Sequence, residues 1–386
     1  MKFIDQKRVH IPADTAFVKT KFLDIRYAPE GNWMTPGFYT PDGKWKTEDD
    51  EDDTESNYPG MKFAETKPEE KLTGPTVSMQ IKKEMKEIET VRKEKAVPST
   101  GGVRDKTLNP FPATGETRLL DIYLPNEGRA PYPVIMDIFG GGWYFGRKSS
   151  HKLEPALNLL KRGFAVVSIN YSMSFQGEFP VQIQEVKAAV RFIRKHAAEY
   201  DLNPERIALL GESAGAHYAA LAATSSASGN LYDSRWPNHD VSDEVQAVIA
   251  LYCPVDIGCM KEYFAVEKMV RDNDTIISEY GTPASMESVL FGGTVKDQKW
   301  MDRIANPESY INEKCPPFLF LSGTKDQVIS IIQTMHFAAK IMQATDTDNV
   351  RFKMVEGAHH DIHDFEKEWI YDFEAAFLRE KMNIRS

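Results

Sequence analysis

Cysteine is scarce in this chain: only Cys253, Cys259 and Cys315 occur in 386 residues. Three cysteines make no disulfide framework, and their spacing matches no metal-ligand pattern, so they read as buried thiols. Basic charge is also in deficit. Lys and Arg number 47 against 57 Asp and Glu, a net charge of −10. Nucleic acid and anionic membrane surfaces, which need a positive partner, are therefore not expected. No apolar run reaches the ~20 residues of a membrane-spanning helix. Met1 to Arg8 contain Asp5 and no apolar core, so no secretory leader and a cytoplasmic address are expected. Internal repeats are absent as well. What remains is ordinary globular composition, 41% hydrophobic and 27% charged, at a length that accommodates one large α/β domain.

The most informative feature is Gly211-Glu212-Ser213-Ala214-Gly215. The apolar run Ile207 to Leu210 precedes it and the helix-forming stretch His217 to Ala223 follows. Strand, G-x-S-x-G and helix in that order form a nucleophile elbow, where a strained turn lifts a serine hydroxyl above a sheet. Small flanking residues are needed because the turn is tight. A glycine-rich turn with a capping serine is the plainer alternative.

Upstream, Val134 to Ile138 reads as a buried strand, followed directly by Phe139-Gly140-Gly141-Gly142-Trp143. Consecutive glycines let backbone N–H groups converge on one point, as stabilising an oxyanion requires. Gly141 and Gly142, with Ala214 after the serine, are the expected donors, and Trp143 is an expected substrate contact. Downstream, the strand Pro317 to Ser322 ends in Gly323-Thr324-Lys325-Asp326, placing a carboxylate in a turn after a strand. The last strand, Val350 to Val355, leads to Glu356-Gly357-Ala358-His359-His360, with His363 close behind. Asp326 can orient an imidazole that serves the serine as base. The residues alone leave His359, His360 and His363 as candidates.

From about Leu119 onward the chain resembles the esterase/lipase group of α/β-hydrolases, related to hormone-sensitive lipase and to bacterial feruloyl and acetyl-xylan esterases. Leu120 to Pro125 matches the family's opening strand, and Phe179-Pro180 through Arg194 the helix before the elbow. Asn203 to Ile207 and Gly211 to Gly215 match the elbow. Pro316-Pro317 with Gly323 to Asp326 matches the acid loop, and Glu356-Gly357-Ala358 the base loop. Ser, Asp, His is also the family's chain order. The resemblance implies an α/β-hydrolase fold with a mostly parallel central sheet flanked by helices. It implies Ser213, Asp326 and His360 as the triad, a small-molecule ester as substrate, and neither cofactor nor metal. One position departs: the family's glycine loop usually begins with His, and here it begins with Phe139, which must hold the loop by packing. Glu212, where the lipase branch has Asp, points to the feruloyl and acetyl esterase side.

Three segments are expected to contribute to a cap. Residues 1–104 read as an N-terminal extension, with an acidic run at 48–55 and an amphipathic stripe of Val77, Ile81, Met85 and Ile88 that Pro98 to Gly102 terminates. Residues 105–386 read as the catalytic domain, with cap insertions near 225–244 and 258–305. Amide cleavage on the same triad is the alternative activity, and a ligand-binding module without turnover is the non-enzyme alternative.

Overall fold

The computed structural model describes residues 11–29, 37–39, 45–47, 116–177, 179–234, 236–270, 280–283 and 285–384. The acidic run at 48–55, the amphipathic stripe at 77–95 and the boundary at 98–102 lie outside the described residues.

Eight strands form one sheet: β1 (Lys21–Arg26), β4 (Leu119–Tyr123), β5 (Tyr132–Ile138), β6 (Ala165–Ile169), β7 (Leu202–Glu212), β8 (Ala247–Leu251), β9 (Phe318–Gly323) and β10 (Val350–Val355). Two more, β2 (Gly37–Tyr39) and β3 (Trp45–Thr47), pair separately as a hairpin. The sheet order is β1-β4-β6-β5-β7-β8-β9-β10, antiparallel across β1-β4-β6 and parallel from there on. The central strands are apolar and buried on both faces, as a parallel sheet covered by helices requires. Alternation then sorts their side chains. Val134, Met136, Leu209, Val248 and Phe320 enter one core with α1 (Val181–Lys195), α2 (Ala214–Ala227) and α6 (Ile331–Ala344). Ile135, Leu210, Ile249 and Leu321 enter the other with α7 (Glu368–Lys381). Helix α2 is buried along its whole length, which explains its run of alanines: it lies between sheet and neighbouring helices with no face left for solvent.

The topology places the described parts of two segments expected in the cap. Residues 11–29 of the N-terminal extension supply an edge strand, not a lid: β1 pairs with β4, and Pro12 bridges Ser150. Buried Lys148 holds this edge through Asp24 at 2.9 Å and Asp121 at 2.5 Å. Residues 225–244 lie at the wrong end of the sheet. Helix α2 starts at the carboxyl end of β7 and runs back, so the segment after it sits where the strands begin. There it packs on α1, with Gln184 Nε2 donating to the Leu231 carbonyl at 2.9 Å and Arg191 paired with Asp243 at 2.7 Å. Only the insertion at 258–305 leaves from the carboxyl end. It contains α3 (Met260–Val270), α4 (Met286–Leu290) and α5 (Lys299–Ala305).

Candidate active site

Ser213 stands between β7 and α2 with φ 52° and ψ −122°, a backbone region that costs of order 1–3 kcal/mol for a residue with a side chain. The surrounding packing holds it there. Its N–H donates to the Leu251 carbonyl at the end of β8, at 3.0 Å. A β-carbon on Gly215 would collide with the Ile138 carbonyl oxygen, so only glycine lets α2 start this close to β5.

Asp326 and His360 arrive on neighbouring parallel strands. Asp326 follows β9 and is almost wholly buried. Its Oδ1 accepts the N–H groups of Val328 at 2.8 Å and Ile329 at 2.9 Å, which aims Oδ2 outward. His360 follows β10. Lys325 N–H donates to the Ala358 carbonyl at 2.8 Å, and Gly357 N–H to Thr324 Oγ1 at 2.8 Å, so the two loops are stitched together. His360 Nδ1 donates to Asp326 Oδ2 at 2.9 Å, and His360 Nε2 accepts from Ser213 Oγ at 2.9 Å. The competing histidines point elsewhere. His359 pairs with Asp364 and is 59% exposed, and His363 pairs with Glu366.

The glycine loop bends over Ser213. Gly141 has φ 139°, and its carbonyl accepts the N–H groups of Tyr144 at 3.1 Å and Phe145 at 3.0 Å, closing the turn. Among the described residues no acceptor binds the N–H of Gly141, Gly142 or Ala214. Phe139 is 2% exposed and stacks on Tyr171, ring centroids 4.4 Å apart at 15°. Tyr171 Oη also donates to the Phe139 carbonyl at 2.6 Å. An aromatic stack thus anchors the loop. Phe139→Ala should leave a cavity costing about 3–5 kcal/mol. Thermal unfolding and steady-state kinetics should then show a lower melting temperature and a lower kcat, with KM changing less.

A family model described as BD-FAE matches residues 120–341, more than half of the chain and including both the glycine loop and the elbow. The chain belongs to the BD-FAE family. Esterase LipQ of Mycobacterium tuberculosis is 30% identical over 255 residues, covering 65% of this chain and 56% of LipQ. The chain thus spans about half the length of the curated relatives it matches. Among solved structures, a truncated carbohydrate esterase from gut microbiota is 26% identical with a TM-score of 0.58, covering 69% of this chain and 92% of that one. A bifunctional GH43-CE protein of Bacteroides eggerthii is 28% identical with a TM-score of 0.57, covering 69% of this chain and 36% of that one.

Sequence reasoning missed several residues that complete this BD-FAE site. Glu212, read only as a branch marker, is buried behind the elbow. Its Oε1 accepts Gly140 N–H and Lys152 Nζ, both at 2.7 Å, and its Oε2 accepts Tyr252 Oη at 3.1 Å. The Tyr252 ring in turn packs on the imidazole of His360, centroids 4.5 Å apart. Burial raises the Glu212 pKa, but Lys152, Gly140 N–H and His360 outweigh it and hold the carboxyl below its ordinary value. Neighbouring Asp137 has the opposite fate: burial, then the charge of Glu212, push it up to about 8. Since the folded state binds this proton more tightly than the unfolded chain, its contribution to stability is full below about pH 4. It is lost as pH rises towards about 8. Asp137→Asn, which mimics the neutral form, should flatten the fall in melting temperature between pH 5 and pH 8. Parallel slopes for the two proteins would count against a protonated Asp137.

Among the described residues, the insertion at 258–305 reaches the glycine loop and the acid loop. The Met286 thioether lies against Gly142, in the space a β-carbon there would need, and Tyr280 Oη donates to the Val328 carbonyl beside the acid loop. Trp143, expected as a substrate contact, turns its indole N–H inward. It is 3% exposed, and its one donor, Nε1–H, is committed to His217 Nδ1 at 3.1 Å. No group of His, Cys, Asp and Glu among the described residues could hold a metal ion, and no helix there is long and apolar enough to cross a membrane.

Proposed function

We propose that the protein is a serine carboxylesterase that works through an acyl-enzyme. The Ser213–His360–Asp326 hydrogen-bond chain, 2.9 Å at each link, carries this reading. His360 Nε2 takes the Ser213 proton as Oγ bonds to the ester carbonyl carbon, and Asp326 holds the tautomer and stabilises the imidazolium. The N–H groups of Gly141, Gly142 and Ala214 receive the oxyanion. The imidazolium then protonates the leaving alcohol. Water, deprotonated by the same imidazole, attacks the acyl-enzyme and releases the acid with Ser213 restored.

For the substrate we propose feruloyl or acetyl esters of plant polysaccharide fragments. Glu212 in the elbow and the similarity to the gut-microbiota carbohydrate esterase and the bifunctional GH43-CE protein support this. The insertion at 258–305 is proposed as the cap that shapes the acyl site, with Met286 and Tyr280 closest to the chemistry. A panel of esters graded in acyl length, with a hydroxycinnamate ester and matched peptide amides, tests the whole reading. Hydrolysis of acetyl and hydroxycinnamate esters is expected, with amides cleaved far more slowly. Comparable kcat/KM on the amides would favour the peptidase alternative.

A further inference from the structure

Helix α2 carries a histidine that the proposed chemistry does not use. His217 is fully buried, one turn beyond Ser213, and its N–H donates to the Ser213 carbonyl at 3.0 Å. Its ring has a partner on each nitrogen: Nδ1 accepts the indole N–H of Trp143 at 3.1 Å, and Nε2 lies 2.7 Å from the Ala305 carbonyl. A carbonyl can only accept and an indole N–H can only donate. The two bonds together therefore select one species, the neutral imidazole with its proton on Nε2. Burial keeps the ring in that species by lowering its pKa to about 4, an effect the Ala305 carbonyl only partly offsets.

The two ends of this bridge belong to different parts of the site. Trp143 closes the glycine loop in a left-handed conformation, φ 59°, and its carbonyl accepts Ser174 N–H at 2.9 Å. Its indole meets the His217 ring edge-on, centroids 5.6 Å apart. Ala305 is the last residue of α5, the end of the capping insertion. One imidazole thus ties the oxyanion loop to the nucleophile's helix and to the foot of the cap.

We infer that His217 is a positioning residue that sets the aim of the Gly141 and Gly142 N–H groups by holding Trp143, and that couples this loop to the cap through Ala305. The inference rests on the esterase reading for its catalytic consequence, but not for its structural one.

Trp143→Phe keeps an aromatic ring but loses the donor together with one ring of the indole, so His217→Asn, which keeps the indole and an acceptor for it, separates the lost bond from the lost volume. Expected is a fall in kcat of about tenfold with KM little changed, smaller than the ~10²–10³ that follows outright loss of an oxyanion donor. Affinity for a trifluoromethyl ketone, which forms the tetrahedral oxyanion, should fall by the same factor as kcat/KM. Amide hydrogen exchange in the peptide spanning 139–146 should accelerate. His217→Asn supplies the conservative arm. Its Oδ1 takes the place of Nδ1 and can accept from Trp143, while nothing reaches Ala305. It should keep kcat near the parent's, and His217→Ala should match Trp143→Phe. Unchanged kcat and ketone affinity in Trp143→Phe, or a shift in KM alone, would overturn the inference, as would unaltered exchange in the loop. A parent protein inactive on every ester would instead remove the esterase reading, and the exchange measurement would still decide whether His217 holds the loop.

Discussion

Ser213→Ala should lower ester turnover by about 10⁴- to 10⁶-fold and abolish labelling by a fluorophosphonate probe. The expectation follows from the only side-chain contact the hydroxyl makes among the described residues, the 2.9 Å bond to His360 Nε2. Without Oγ no bond can form to the ester carbonyl. Whatever rate remains should come from the proposed N–H donors of the glycine loop acting on a water attack. Folding should be almost untouched, because the φ of 52° at this position is imposed by β5, β8 and α2 and not by the hydroxyl. Circular dichroism and a melting curve close to those of the parent would separate loss of chemistry from loss of structure. Labelling that persists in the variant would place the nucleophile elsewhere.

The second large effect separates two adjacent histidines. His360→Ala should reduce kcat by about 10⁴-fold or more, because the base, the acid and the orientation from Asp326 are lost together. His359→Ala should stay within about threefold of the parent, as a substitution of an exposed side chain does. The geometry gives the reason: His359 N–H and Nδ1 both bond Asp364, at 2.7 and 3.0 Å, so its ring faces solvent. The double variant Ser213→Ala with His360→Ala should be no slower than the worse single one, since residues acting as one unit lose their function once. Loss of activity in His359→Ala with retention in His360→Ala would transfer the base role.

What could be read from the chain by itself is what depends on neighbours in sequence. The elbow around Ser213 and the loop Phe139 to Trp143 are each a strand followed by glycines, and the backbone demands of those turns leave a direct trace in residue type. Asp326 and His360 were legible through chain order and the strands before them, because parallel strands deliver the turns that follow them to one edge of the sheet. Even the packing role of Phe139 followed from chemistry, since a ring without donor or acceptor can hold a loop in no other way.

Tertiary structure decided the rest, and for a common reason: the partners are far apart in sequence and ordinary in kind. Glu212 meets Gly140 across 72 residues and Lys152 across 60, and His217 meets Ala305 across 88. Nothing in a glutamate, a lysine or a backbone carbonyl marks it for such a pairing. Exposure cannot be read from residue type, and only the fold showed the Trp143 indole N–H turned inward to His217. The direction of α2 settled the insertions. A helix that starts at the carboxyl edge of the sheet must finish at the amino edge, so residues 225–244 cannot reach Ser213, while the segment leaving β8 must pass over it. That is a constraint of chain geometry, and it exists only once the strands have been placed side by side.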